Sequence, residues 1–297
     1  MPALISSLLL VLGSSQALAH GSESHDVLGW TFDPWIVVPL FAMALLYALG
    51  VIRLRLRRGR TAEMTKRAAL FFWSGLAVLV LALVSPVHEL GEHLFTIHMI
   101  EHELVVAVAA PLLVLARPAA MMLWGMPERV RRSAGSAMGS IACRALWRTL
   151  TLPAVATSLH GLAIWIWHYP PLFDATVTDI LMHRLQHLSF FGTAVLFWWA
   201  IIWRASRGVA AWHQFVTMLH TSILGALIAL MPTVLYRIQT QYALDWGMTP
   251  LEDQQLAGII MWVPGGFIYA VAALWFLKIW IRDAKKGGAG ADEIRLA

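Results

Sequence analysis

The sequence predicts an all-α fold: a polytopic membrane protein with seven transmembrane helices behind a cleaved signal peptide, N-terminus outside and C-terminus cytoplasmic. Three observations carry this. Of the 297 residues, 59% are hydrophobic and only 13% charged, far too apolar for an ordinary soluble domain. Apolar runs near the ~20 residues that cross about 30 Å of hydrocarbon recur along the whole length. Lys and Arg gather in alternate loops, as they do in membrane proteins of fixed orientation. No internal repeat, Gly/Ser linker or second compositional regime interrupts the chain, so one membrane domain covers nearly all of it.

The elements follow in order. Residues 1–19, MPALISSLLLVLGSSQALA, read as a signal peptide with a short apolar core and the small-residue cleavage pattern Ala17-Leu18-Ala19, although its first residues carry no Lys or Arg. Residues 20–33 form a periplasmic tail and residues 34–283 the membrane domain. Its spans are expected at roughly 34–52, 68–86, 94–116, 150–169, 180–203, 211–234 and 257–281. Residues 284–297, which include KKGGAGADEIRLA, read as a disordered cytoplasmic tail.

Orientation comes from the loops. Arg53, Arg55, Arg57, Arg58, Arg60, Lys66 and Arg67 separate spans one and two; Arg117, Arg129, Arg131, Arg132, Arg144 and Arg148 separate three and four. Arg204 and Arg207 follow span five, and Arg282, Lys285, Lys286 and Arg295 follow span seven. The intervening loops hold only Arg237. The basic loops are therefore cytoplasmic, and a signal peptide gives the same orientation independently. The net charge of +5 sits beside membrane segments and does not point to nucleic acid; membrane lipid is the contact it implies. The single cysteine, Cys143, excludes an internal disulfide and a cysteine-paired metal site.

Histidine is the unusual residue, with 12 copies. His20, His25, His88, His93, His98, His102, His168, His183 and His187 fall outside or in the outer half of the membrane. His160 and His220 fall near mid-depth, and His213 near the cytoplasmic edge. His98 and His102 stand at i, i+4, and so do His183 and His187. That spacing puts both rings of a pair on one helix face, within reach of one metal ion. Spans three and five run the same way, so neighbouring helices would bring the two pairs together at equal depth, with His168 assisting from the end of span four. Ionisable groups inside a membrane are costly and mark function. Glu101 is placed to orient an imidazole through its ring N–H. Imidazole suits copper, zinc, iron and nickel, while thioethers select Cu(I). Met99 and Met182 lie beside the pairs, and Met231, Met248 and Met261 near the same side, so copper is the expected metal. After cleavage, His20 would offer an amine and a ring, and His25 a third nitrogen, as a copper-capturing arm; a solvated tail is the plainer reading of the same residues.

Other motifs compete. His98-Met-Ile-Glu-His102 matches the H-x-x-E-H pattern of inverted zinc proteases, a five-position signal without a downstream carboxylate ligand. Di-iron hydroxylase boxes need more histidines, on the opposite side. Haem between two helices is the lesser cofactor alternative, with axial ligands from His98 or His102 opposite His183 or His187, or from His160 and His220. Pro111 is expected to bend span three, and Pro264-Gly265-Gly266 to open span seven. Trp165, Trp167, Trp198, Trp199 and Trp203 read as interfacial anchors.

The stretches HMIEHELVVAVAAPLLVLARP (98–118), WIWHYPPLFDATV (165–177) and HRLQHLSFFGTAVLFWW (183–199) resemble the multispanning CtaG family of cytochrome c oxidase assembly factors. The matching positions are His98, Met99, His102, Pro111 and Pro118, then His168, Pro170 and Asp174, then His183 and His187. The resemblance implies a non-enzymatic role in building the haem–copper centre of a respiratory oxidase in the bacterial plasma membrane. The implied partners are the nascent oxidase subunit carrying that centre and a periplasmic copper donor. A metal-free chaperone for that subunit and a haem-binding electron-transfer protein are the alternatives.

Overall fold

The structure, a computed structural model, describes residues 29–58 and 63–295. The predicted signal peptide, His20 and His25 lie outside the described residues. Every regular element among those described is helical. In chain order they are α1 (Pro34–Arg58), α2 (Glu63–Leu83), α3 (Pro86–His93), α4 (Phe95–Ala116), α5 (Pro118–Gly125) and α6 (Glu128–Gly139). Next come α7 (Ile141–Leu150), α8 (Pro153–Trp167), α9 (Pro170–Thr178), α10 (Ile180–Arg204), α11 (Arg207–Leu230) and α12, which runs from Pro250 to Arg295.

Among the described residues, six helices are long and apolar enough to cross a membrane: α1, α2, α4, α10, α11 and α12. The expected fourth span is different. Within 150–169 the helix is α8, at 15 residues too short to qualify by itself; it meets α7 at a bend of 67°, and taken together the two make a seventh candidate. Pro153 explains the break, because it removes a backbone donor and holds the preceding residue out of the helical region. Two boundaries also move. α11 ends at Leu230, ahead of Met231-Pro232, and α12 begins at Pro250, a full turn and more before the expected start. Its start is secured by a capping box, Thr249 and Glu252 each bonding the other's backbone N–H. α12 stays helical to Arg295 where an irregular tail is expected, since extending an existing helix costs far less than starting one.

Two prolines widen their helices rather than simply kinking them. α4 carries a π-turn at Leu104–Ala109 just ahead of Pro111, and α12 carries one at Met261–Gly265 around Pro264. A proline ring clashes with the carbonyl of the preceding turn, and an inserted residue relieves the clash. In α4 the Trp198 indole donates to the Val106 carbonyl at 3.0 Å, within the widened turn. Trp198 is therefore a core residue, 4% exposed, and not the interfacial anchor the sequence suggests.

The histidine-bearing end is tied together by long-range caps. Leu94 precedes α4 and offers no side-chain cap. Asp253, in the first turn of α12, takes its place: it accepts from the backbone N–H of Phe95 at 2.8 Å and of Thr96 at 2.9 Å, and from the Thr96 hydroxyl at 2.7 Å. The first N–H groups of a helix have no partner within it, so a carboxylate here satisfies them and complements the helix dipole. Gln254 accepts from Leu235 N–H at 2.6 Å, and Gln239 donates to the Gly91 carbonyl at 2.8 Å, which fastens the 231–249 segment over this end. α11 and α12 cross tightly: a Cβ added at Gly225 would sit 2.7 Å from the Trp262 nitrogen, and one at Gly258 would strike the Ala229 backbone.

Candidate metal centre

The two histidine pairs meet. α4 and α10 stand side by side, with ring centroids of His102 and His187 5.1 Å apart and those of His98 and His183 6.0 Å apart. Within the pairs the separations are 4.3 Å for His98–His102 and 4.6 Å for His183–His187. His98 and His102 are almost fully buried, and His187 is 14% exposed.

His88 joins them, which the sequence reading missed. Its Nδ1 lies 2.9 Å from Glu101 Oε1, and its ring is 5.6 Å from His183 and 6.1 Å from His187. It arrives on α3, a two-turn helix started by Ser85, whose hydroxyl accepts from Val87 N–H, and by Pro86 at the first position. Gly91 lets α3 approach α4, since a Cβ there would lie 3.0 Å from Glu101 Oε2. The available signal was the run Ser-Pro-Val-His: an N-cap followed by proline announces a helix where a loop was expected. Burial pulls the His88 pKa down, but the hydrogen bond and charge of Glu101, with Glu92 and Asp33 behind it, outweigh burial and leave it raised. Glu101 is the hub, 1% exposed, with His187 Nε2 also 3.6 Å from its Oε1.

The ring nitrogens at this centre are short of partners. His98 Nε2, both nitrogens of His102 and His187, His183 Nε2 and Glu101 Oε2 are buried with no hydrogen-bond partner. Native interiors pair more than 90% of such groups, so a cluster of unpaired ones calls for an explanation. The rings pack mostly edge to face, and among the described residues no three His, Cys, Asp or Glu side chains already converge on one point. The centre is thus a neighbourhood of imidazole side chains that are close together but not converged on one point. The donor chemistry, neutral nitrogens with free lone pairs, fits a transition metal.

Met99 and His168 fall on another side. Along α4, His98, Glu101 and His102 share one stripe, while Met99, His102, Glu103 and Val106 share the next, which faces a cavity of about 30 Å³. His168 borders that cavity, with Phe173 and Phe190 packed against both its ring and the cluster. His168 Nδ1 donates to the Ile164 carbonyl at 2.7 Å, and its own carbonyl accepts from the Tyr236 hydroxyl at 2.7 Å. His93 is elsewhere, bonded to the Glu89 carbonyl and packed on Tyr242. Deeper in the bundle, His160 Nε2 lies 3.4 Å from the Tyr269 hydroxyl, and His220 has no partner at either nitrogen.

The sequence matches the family described as cytochrome c oxidase caa3 assembly factor (Caa3_CtaG) over residues 45–283. The chain belongs to this family. It is 29% identical over 273 residues to an uncharacterized protein of Mycobacterium bovis and, at the same level, to one of Mycobacterium tuberculosis, covering 89% of this chain and 41% of each relative. An uncharacterized protein of Mycobacterium leprae is 24% identical over 278 residues, covering 86% of this chain and 40% of the relative. The chain thus spans about two fifths of the length of these curated relatives. No solved structure matches. Every histidine of the cluster lies within the part matched to the caa3 assembly factor family. So do Pro111, Pro118, Pro170 and Asp174: the first follows the α4 π-turn, the next two start α5 and α9, and Asp174 keeps a buried, unpartnered carboxylate oxygen.

Proposed function

We propose that this protein is a non-enzymatic assembly factor that takes up copper as cargo at the outer face of a bacterial plasma membrane and passes it to a nascent cytochrome c oxidase subunit. The observation that carries the reading is the gathering of His98, His102, His183 and His187 from two helices, with His88 beside them and most of their nitrogens unpartnered in an apolar bundle. Glu101 orients the imidazoles and offsets the charge of the ion. Family membership supplies the oxidase as the destination. The distribution of Lys and Arg favours the outer end for the cluster, where a periplasmic donor would load it.

A second reading, a metal-free docking factor, draws on the absence of three converged donors among the described residues. Metal content and an absorption spectrum of the purified, detergent-solubilised protein, beside a His98→Ala/His102→Ala variant, decide between them. Copper bound by the wild type and reduced in the variant is the expected result. No metal in either after loading with Cu(I), and no Soret band, would leave the docking factor.

A further inference from the structure

The cavity on the second stripe of α4 is built differently from the cluster. Two methionines, Met99 and Met261, line it from α4 and α12. His168, His102 and Glu103 add two imidazoles and a carboxylate, and Tyr269 and Thr221 complete the polar part of its lining. The His168 tautomer is set by its Nδ1–H bond to the Ile164 carbonyl, which leaves the Nε2 lone pair buried and unpartnered. A backbone bond on one ring nitrogen and a free lone pair on the other is the arrangement of metal-ligating histidines generally. Glu103 Oε2 is likewise buried and unpartnered. Room for that carboxylate comes from Gly265, where a Cβ would lie 2.6 Å from Glu103 Oε1. Gly265 closes the π-turn that Met261 opens, so one local widening of α12 delivers both the thioether and the space.

We propose that this cavity is a second metal site, distinct from the imidazole cluster, for one soft monovalent cation, Cu(I) or its surrogate Ag(I). Met99, Met261 and His168 Nε2 hold the ion, and Glu103 supplies the opposite charge. His102 borders both sites and is the point at which an ion changes hands between them. The volume, about 30 Å³, admits one small ion. Thioether donors select Cu(I) over zinc or iron, and methionine's flexible stem brings sulfur to the ion at little cost. The inference rests on the copper reading above but on different residues, so the two can fail separately.

The test is X-ray absorption spectroscopy with metal counting on the full-length protein in detergent, loaded anaerobically with Cu(I) and, in parallel, Ag(I). The wild type is expected to bind two ions per chain with a sulfur scatterer in the average shell. Met99→Leu/Met261→Leu, which conserves side-chain volume and hence the fold, is expected to lose one ion and the sulfur signal together. His98→Ala/His183→Ala is expected to lose the other ion and keep the sulfur. Nitrogen-only scattering in the wild type would overturn the second site and leave the cluster standing. Sulfur scattering that persists in the double leucine variant would overturn it as well, by assigning the sulfur to other methionines. Sulfur-bound metal that survives with no loss in His98→Ala/His183→Ala would leave the second site and overturn the cluster. No bound ion in any form would overturn both.

Discussion

The two ends of the bundle treat polar groups in opposite ways. At the arginine-rich end, charges find partners or solvent. Arg53 of α1 donates to the carbonyls of Gly125 at 2.8 Å and Met126 at 2.7 Å, and so closes the C-terminus of α5. Arg117 lies 3.3 Å over the Trp203 ring, and Arg132 pairs with Glu128 on α6, a helix with no buried residue. At the histidine-rich end, side chains that are mostly nine-tenths buried or more leave nitrogen and oxygen atoms without partners. Unpartnered buried atoms occur elsewhere too, on Gln214 and Thr217 in the half of α11 nearer Arg207, but they gather most densely at the histidine-rich end. Such groups are expensive to bury, and under the proposed function the ion completes them.

Substitutions at four positions test that contrast. The largest effect is expected from Asp253→Ala, which strips the cap from α4 and leaves two buried N–H groups unpaired. The loss is about 3 kcal/mol or more, read as a lower midpoint of unfolding in detergent, with copper retention falling alongside. Asp253→Asn keeps an acceptor and should fall between. A wild-type midpoint in the alanine variant would remove the cap from the account.

Glu101→Gln comes next and sharpens the comparison from the site's side. Gln keeps the shape and removes the charge that His88 and His187 face. Copper affinity is expected to fall about 10–100-fold, as when an outer partner of a ligand is lost, with little change in unfolding. A chelator competition titration reads it; unchanged affinity would mean Glu101 serves packing alone.

Arg53→Ala should do the reverse. It frees the C-terminal carbonyls of α5 and is expected to cost about 1–2 kcal/mol, while the copper stoichiometry stays as in the wild type. Arg132→Ala is the smallest, below about 0.5 kcal/mol, because both members of the pair are well exposed and such pairs are screened. A loss of copper in either arginine variant would show that the two ends are coupled.

Some of this was legible in the residue order and some was not. Apolar runs and i, i+4 spacing are local properties, so the sequence alone determined most of the spans, the pairing of His98 with His102 and of His183 with His187, and the departures from regular helix at Pro111 and Pro264. Its fourth span, 150–169, is helical only over α8, because Pro153 separates that helix from α7. Only the tertiary structure decided which helices are neighbours. That choice brought α10 against α4, carried His88 to Glu101 from 13 residues away, and set Asp253 under α4 from 157 residues away. It also divided the α4 residues between two faces, so that Met99 and Glu103 look onto a cavity with His168 and Met261 while His98 and Glu101 look onto the imidazoles. The physical reason is one of range. Helix formation is governed by contacts four residues apart, whereas helix adjacency depends on close approaches such as those at Gly91, Gly225, Gly258 and Gly265, which take effect only once two distant segments meet.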